Sequence, residues 1–358
     1  MIKVAVVGCG YWGPNLVRNF RSIPECEVKQ ICDMDHERLA KMQELYPEIN
    51  TTTKFEELVK DDEIDAVAIA TPVFTHFELA KKSLMAGKHT FIEKPMAAKV
   101  DQCIKLIELA KKKELTLMVG HTFIYSAPVR KVKEIVESGD LGELLCITSQ
   151  RLNLGLYQRD INVVWDLAPH DVSIVLYVMD EFPVAVNCQG KAHLASGIED
   201  VTNMTLNFKN GGFAIIQSSW LDPNKVRRMT FVGSRKMVLY DDCQPYEKLR
   251  IYDKRVEIPR HYDTLAEFHY AYHHGDMHCP ALNLIEPLKA QCQHFLDCIR
   301  EGSDPQTSGF EGLDVVRILE AASKSLKKGG ARIEIEDRHP LQPTTFLATR
   351  KDKIVNIR

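Results

Sequence analysis

Between residues 3 and 121, short runs of β-forming residues alternate with stretches whose apolar positions recur at helical spacing. KVAVVG at 3–8, EVKQICD at 27–33, AVAIAT at 66–71, TFIEK at 90–94 and TLMVGH at 116–121 predict strands. Residues 14–21, 35–46, 54–60, 74–86 and 99–114 predict helices. This alternation specifies a parallel sheet covered by helices on both faces. In the last helix, Ile104, Leu106, Ile107, Leu109 and Ala110 form the apolar side, and Lys105, Glu108 and Lys111–Lys113 the solvated one.

The texture changes after a linking helix at about 126–138 and the turn Ser138-Gly139-Asp140. Strand-like runs then follow one another at 144–153, 186–193, 200–210, 212–221, 227–234, 236–242 and 248–253. Asn210-Gly211-Gly212 and Gly233-Ser234 mark hairpin turns. One helix at 165–180 interrupts the series, and helices at 285–300 and 311–327 close it. The expected fold class is α/β: an N-terminal Rossmann-type parallel sheet followed by an α+β domain with a large, mostly antiparallel open sheet. The expected boundaries are 1–122, 123–336, and a basic tail at 337–358 read as a peripheral strand or an arm. An open sheet has one face for helices and one to hide, so a homodimer or homotetramer is expected.

A chain of 358 residues is long enough for two cores. A net charge of −3 argues against nucleic-acid and membrane-surface partners, which need a concentrated basic face. No apolar run reaches the length of a membrane span, and a strand begins within three residues of Met1, so a cytoplasmic location is expected. The ten cysteines stand singly, with no zinc-like spacing, and predict reduced thiols. His273, His274, Asp276, His278 and Cys279 cluster in sequence, but Gly275 and Pro280 suggest a structured loop, and no metal is expected.

The chemistry begins at VGCGYWG. Gly8 permits the tight turn, Gly10 lets the backbone approach a pyrophosphate, and Gly13 lets the helix pack on the strand. The diphosphate would rest on the free N–H groups and positive dipole end of that helix. Tyr11 and Trp12, inside the same loop, are counted with the cofactor site. Asp33 ends the second strand 20 residues beyond Gly13, where a carboxylate accepts ribose hydroxyls and repels a 2′-phosphate. NAD is therefore expected over NADP, with Arg38 softening the preference.

Two further clusters stand out. Glu93-Lys94-Pro95 lies at the carboxyl end of a parallel strand, where open α/β sheets place ligands. Asp166 and His170 are four apart and share a helix face, so the carboxylate can orient the imidazole and raise its proton affinity. Pro169 suggests that this helix starts nearby or bends. Each cluster alone also reads as structure, a surface lysine and an Asp–His hydrogen bond. Together with a nicotinamide they supply what alcohol oxidation requires: a hydride acceptor, a base and a cation for the alkoxide.

Over about residues 1–335 the chain resembles the glucose–fructose oxidoreductase / inositol dehydrogenase / rhizopine catabolism (Gfo/Idh/MocA) family. The resemblance rests on VGCGYWG, Asp33, ATPVFTH at 70–76, EKP at 93–95, the Asp166–His170 spacing, EPL and FLDCI within 286–300, and AASKSLKKGG at 321–330. It implies that Lys94 and His170 act on a substrate hydroxyl and that Asp166 supports His170. It further implies that Thr71, Pro72 and His76 border the dinucleotide groove, with Glu93 and Lys94 near the nicotinamide ribose. Tyr125, Arg151, Asn153 and Asn162 join Lys94 and His170 as candidate substrate contacts, with Arg159, Lys225, Arg227 and Arg228 as further cations.

Many relatives carry glycines before the catalytic aspartate, where this chain has Val163-Val164-Trp165. The segments at 151–171, 219–228 and 272–288 look most like members found with nucleotide-sugar and surface-glycan enzymes. The implied reaction is NAD-linked oxidation or reduction at C3 of a nucleotide-linked sugar. The alternatives are an inositol or free-sugar dehydrogenase, an NAD-dependent glycosidase, or a non-catalytic NAD-binding sensor.

Overall fold

A computed structural model describes residues 1–257 and 271–336. The expected tail at 337–358 lies outside the described residues. The fold divides into two compact units, one made of 1–126 with 284–320 and the other of 127–283 with the residues from 321 onward. The first unit therefore draws on two separate stretches of chain, where the sequence suggested a single stretch ending at 122.

In the first unit, strands β1 (Ile2–Val7), β2 (Cys26–Cys32), β3 (Asn50–Thr52), β4 (Ala66–Ile69), β5 (His89–Glu93) and β6 (Leu117–Gly120) alternate with helices. The helices are α1 (Gly13–Arg21), α2 (His36–Leu45), α3 (Phe55–Lys60), α4 (Val73–Met85) and α5 (Val100–Lys113). The sheet is parallel, in the order β3-β2-β1-β4-β5-β6. The three-residue β3 was not legible as a strand. The order reverses between β1 and β4, so the loops that follow these strands diverge and open a crevice at their carboxyl ends. β4 and β6 are buried throughout, as expected of strands covered on both faces. Helix α8 (Pro287–Glu301) completes this core: Phe295 meets Phe20 of α1 and Phe91 of β5 edge-on, with ring centroids 6.3 and 5.7 Å apart.

The second unit contains α6 (Ala127–Glu137), β7 (Leu144–Leu152), α7 (Val163–Met179), β8 (Ala185–Lys191), β9 (Val201–Asn207), β10 (Phe213–Ser219), β11 (Val226–Gly233), β12 (Met237–Asp241), β13 (Leu249–Glu257) and β14 (Ala271–His278). Helix α9 (Gly309–Lys327) begins in the stretch counted with the first unit and ends in the second, and β15 (Ile333–Glu334) ends the described chain. The described strands form one sheet in the order β14-β13-β12-β11-β7-β10-β9-β8-β15. Only β7 and β10 run parallel among the pairs described; the others are antiparallel.

Along β7, Ile147, Ser149 and Arg151 are buried while Cys146, Thr148 and Gln150 are half-exposed. That alternation is the signature of a sheet with one covered face. Helix α7 packs on the covered face against β7 and β10. The hairpin between β9 and β10 turns at Gly211, whose φ of +88° suits glycine, and Asn210 Oδ1 accepts from the Gly212 N–H at 2.8 Å.

Candidate active site

The glycine loop explains its own composition. Gly8 has φ +94°, and a Cβ there would stand 2.7 Å from the Ala70 carbonyl oxygen. A Cβ on Gly13 would stand 1.8 Å from the Gly8 carbonyl oxygen. Both glycines are thus demanded by close backbone approach. At Gly10 the nearest atom to such a Cβ is Arg38 Nη1 at 3.7 Å, which leaves open space beside the backbone. Helix α1 starts at once behind this loop with Pro14 in its first turn and no side-chain cap; Asn15 and Leu16 already donate their N–H groups to the Trp12 carbonyl, so the helix offers a ligand chiefly the positive end of its dipole. Tyr11 is largely exposed, and its ring meets that of Trp12 edge-on at 5.6 Å.

Asp33 sits against this loop. Its carboxylate accepts the Cys9 N–H and, at 2.9 Å, the Asp35 N–H. Arg38 places Nη1 3.9 Å from Asp33 and Nε 3.3 Å from Asp35. The acid that would take ribose hydroxyls is therefore anchored by backbone, with a half-exposed guanidinium beside it. These residues fit a dinucleotide: space at Gly10, the positive dipole end of α1, and a fixed carboxylate at the end of β2.

After β4, Thr71 Oγ1 lies 2.6 Å from Thr75 Oγ1, and Pro72 precedes α4. His76 is buried, with Nε2 2.7 Å from the Thr71 carbonyl and Nδ1 2.9 Å from the Pro95 carbonyl. It braces the ends of β4 and β5 from inside. Burial drives its pKa down, and the Lys94 charge adds to that.

At the end of β5, Glu93 is buried and Lys94 half-buried, and the Lys94–Pro95 peptide is cis. Tyr125 is buried, its hydroxyl 3.1 Å from Thr307 Oγ1 and its ring 5.5 Å from that of His294. It is built into the first unit's core. His121, not singled out from sequence, is buried just beyond β6.

In the second unit, Asn162 caps α7: its Oδ1 accepts from the Trp165 N–H at 3.3 Å, and its Nδ2 donates to Glu199 Oε2 at 2.7 Å. The helix begins at Val163 and continues through Pro169, so the proline does not start it. Asp166 and His170 lie one turn apart, both partly exposed. The Asp166 carboxylate accepts from Trp220 Nε1 at 3.0 Å. Trp220 is buried at the end of β10 and packs on Tyr157 at 4.9 Å. Sequence reasoning passed over it because no local spacing links positions 166 and 220.

Arg151 is buried and forks onto Asp171, with Nε to Oδ2 at 2.7 Å and Nη2 to Oδ1 at 3.0 Å. Its guanidinium is already matched by a carboxylate within the unit. Asn153 is half-buried next to β7, its N–H donating to the Ser219 carbonyl at 3.2 Å. Arg227 lies 3.6 Å from Asp242, and Arg228 donates to Gln150 Oε1 at 2.9 Å.

The histidine-rich segment forms strand β14 rather than a loop, with His273 Nε2 2.9 Å from Asp253 Oδ2. Among the described residues no group of three or more His, Cys, Asp or Glu is placed to hold a metal ion. Nor is any described helix long and apolar enough to cross a membrane.

Comparison with known proteins agrees with this layout. Residues 2–121 match the model of the oxidoreductase family with an NAD-binding Rossmann fold, and residues 129–239 match the Gfo/Idh/MocA C-terminal domain. Myo-inositol 2-dehydrogenase of Thermotoga maritima is 25% identical over 339 residues, covering 91% of this chain and 97% of that protein. The structure of UDP-N-acetylglucosamine 3-dehydrogenase GnnA from Acidithiobacillus ferrooxidans superposes with a TM-score of 0.75 at 23% identity, covering 92% of this chain and 98% of that one. A levoglucosan dehydrogenase solved with NADH and L-sorbose gives a TM-score of 0.79 at 19% identity, covering 94% and 99%. A Rossmann unit with its glycine loop and anchored acid, joined to the family's C-terminal domain, makes this chain a member of the Gfo/Idh/MocA family of NAD-binding oxidoreductases.

Proposed function

We propose that the protein oxidises a secondary hydroxyl, or reduces the corresponding ketone, of a sugar, with C3 of a nucleotide-linked sugar in surface-glycan biosynthesis as its substrate class. NAD is the preferred cofactor. Gly8, Gly10, Tyr11, Trp12, Gly13, Asp33, Arg38, Thr71 and Pro72 hold it, His76 braces the groove, and Glu93 and Lys94 lie toward the nicotinamide end. When bound, the nicotinamide supplies the hydride acceptor or donor. His170 takes the hydroxyl proton, Lys94 offsets the charge that develops on the oxygen, and Asp166 holds the imidazole.

The observation that carries this reading is Asp166 one turn before His170 with its carboxylate fixed by the Trp220 indole. A nucleotide sensor needs the cleft but no oriented acid–base pair. The name of the structural neighbour GnnA supports the nucleotide-sugar class, and that of the Thermotoga relative supports an inositol. Half-exposed Thr148, Ile215, Thr230 and Leu239 on the uncovered sheet face support self-association as a homodimer or homotetramer. We place the protein in the cytoplasm.

The deciding experiment follows NADH formation with UDP-sugars, inositols and free sugars, with product analysis. NADH formed with a UDP-sugar and a 3-keto product supports the reading. Turnover of inositols or free sugars alone replaces it, and glycoside cleavage without net NADH assigns the glycosidase route.

A further inference from the structure

The loop between β8 and β9, residues 192–200, closes on itself beside the start of α7, all within the second unit. The Ile198 N–H donates to the Ala195 carbonyl at 3.1 Å, and Gly197 supplies the turn with φ +79°. Asp200, fully buried, fastens the loop. Its Oδ2 accepts the N–H groups of His193 and Leu194 at 2.7 and 3.0 Å, and its Oδ1 accepts from His193 Nδ1 at 2.6 Å. Among the described residues no other donor meets Oδ1. The His193 side chain is half-exposed, so it contributes a hydrogen bond here and little packing.

The closed loop grips both supports of Asp166. At the helix, the Glu199 carbonyl accepts the N–H of Val163, the first residue of α7, at 2.9 Å, and Glu199 Oε2 accepts from the capping Asn162. At the indole, the Asp200 carbonyl accepts the Trp220 backbone N–H at 2.9 Å. The Ile198 carbonyl accepts the Tyr157 hydroxyl at 3.3 Å, and the Tyr157 ring packs against that of Trp220 at 4.9 Å. Asp166 lies in the first turn of α7 and takes the Trp220 indole N–H at 3.0 Å. One loop thus holds both the backbone that carries the carboxylate and the donor that meets it.

We propose that His193 and Asp200 are positioning residues, which by locking this loop set Trp220 against α7 and so fix the Asp166 carboxylate. The inference rests on the reading of Asp166 and His170 as the proton-handling pair. His193 is the exposed end of the lock. Without its ring, a buried carboxylate oxygen is left with no donor, and the readiest relief is a shift of the loop. Such a shift reaches the indole directly, because hydrogen bonds weaken steeply once stretched or bent.

The test uses the full-length ¹⁵N-labelled protein, whose three tryptophans give three indole N–H resonances, that of Trp220 assigned from Trp220→Phe. His193→Ala is expected to move the Trp220 resonance and to lower kcat by about tenfold, the worth of one hydrogen bond to a charged group. The KM for NAD should stay unchanged. His193→Asn, whose Nδ2 can donate to Oδ1 in place of the ring, should restore most of the resonance position and of kcat. A Trp220 resonance unmoved in His193→Ala overturns the proposal, as does a failure of His193→Asn to restore it. Should His193→Ala not fold, His193→Leu, which keeps bulk and lacks the donor, must move the resonance instead, and no movement there also overturns it. Because the resonance is read without substrate, its movement alongside full turnover in His170→Ala would refute the proposed function and leave the lock standing. Movement with unchanged kcat, where His170→Ala is inactive, overturns the positioning role.

Discussion

The indole N–H of Trp220 donates to the carboxylate of Asp166 at 3.0 Å, tying the end of β10 to the first turns of α7. The same tryptophan fills the space beside Gly155, where a Cβ would meet its ring at 2.7 Å. A charge-assisted bond of this kind contributes about 1.5–3 kcal/mol. Trp220→Phe keeps most of the packing and removes the donor. It should lower kcat by roughly tenfold or more, given 1.4 kcal/mol per decade, and leave NAD affinity unchanged. Steady-state kinetics with cofactor-binding titration check this, and an unaltered kcat would relieve Asp166 of any need for the indole.

His170→Ala should cut turnover by about 10² to 10⁴-fold, the range for a positioned acid–base group. Cofactor affinity should hold, since the glycine loop and Asp33 belong to the first unit. Asp166→Asn should damage rate more than folding and shift the acid–base profile. Lys94→Ala should lower turnover with some loss of binding. Near-normal turnover in His170→Ala would reduce the helix pair to a structural contact.

Asp33 both opposes a 2′-phosphate and fastens the Cys9 N–H, so its replacement must separate the two effects. Asn keeps the acceptor and drops the charge. Asp33→Asn should raise the NADP-to-NAD ratio of kcat/KM by about tenfold, equivalent to 1.4 kcal/mol. Adding Arg38→Ala should take that gain back, because the guanidinium stands beside the same carboxylate. A wild-type preference for NADP would contradict the role given to Asp33.

Arg151 and Asp171 form a bidentate pair with both side chains buried. Removing one partner strands the other charge, so Arg151→Ala should cost about 3–5 kcal/mol of stability. Replacing both with apolar residues of similar volume should cost far less. Urea unfolding of the single and double variants distinguishes a stranded charge from lost packing.

Burial alone would raise the pKa of Asp200, but the His193 ring at 2.6 Å and the backbone N–H groups of His193 and Leu194 outweigh it and hold it below its usual range. A carboxylate with a depressed folded pKa binds fewer protons than the unfolded chain in that window. Its stabilisation is therefore complete above the unfolded value of about 3.9 and fades as pH falls through the lower folded value. Asp200→Asn should flatten the acid limb of a stability–pH curve, read from thermal melts between mildly acidic and strongly acidic buffers.

The parallel sheet was legible because each βαβ unit writes its own period into neighbouring residues, and the glycine loop because backbone crowding admits no side chain at 8 and 13. Asp33, Lys94, Asp166 and His170 were recognisable from position within such local patterns. Trp220, the buried state of Glu93 and the Arg151–Asp171 fork were not. Each depends on which strands become neighbours across the sheets, and that is settled by packing among distant segments. Arg151 illustrates the limit: as a letter shortly before α7 it looks available for a ligand, and only the arrival of Asp171 from α7 shows it matched. The His273 segment similarly reads as a loop until β13 provides its pairing partner.

The aromatic trio of Phe20, Phe91 and Phe295 joins two segments that the antiparallel sheet separates in sequence. Two rings emerge early, while the third follows only after almost the entire antiparallel sheet has been synthesised. A nascent chain stalled before residue 284 carries a dinucleotide-binding half with an uncovered apolar seam, open to chaperones and proteases. Separating the nucleotide-binding region as an independent fragment therefore calls for grafting 284–320 back onto it, since cutting at the obvious boundary discards part of its core.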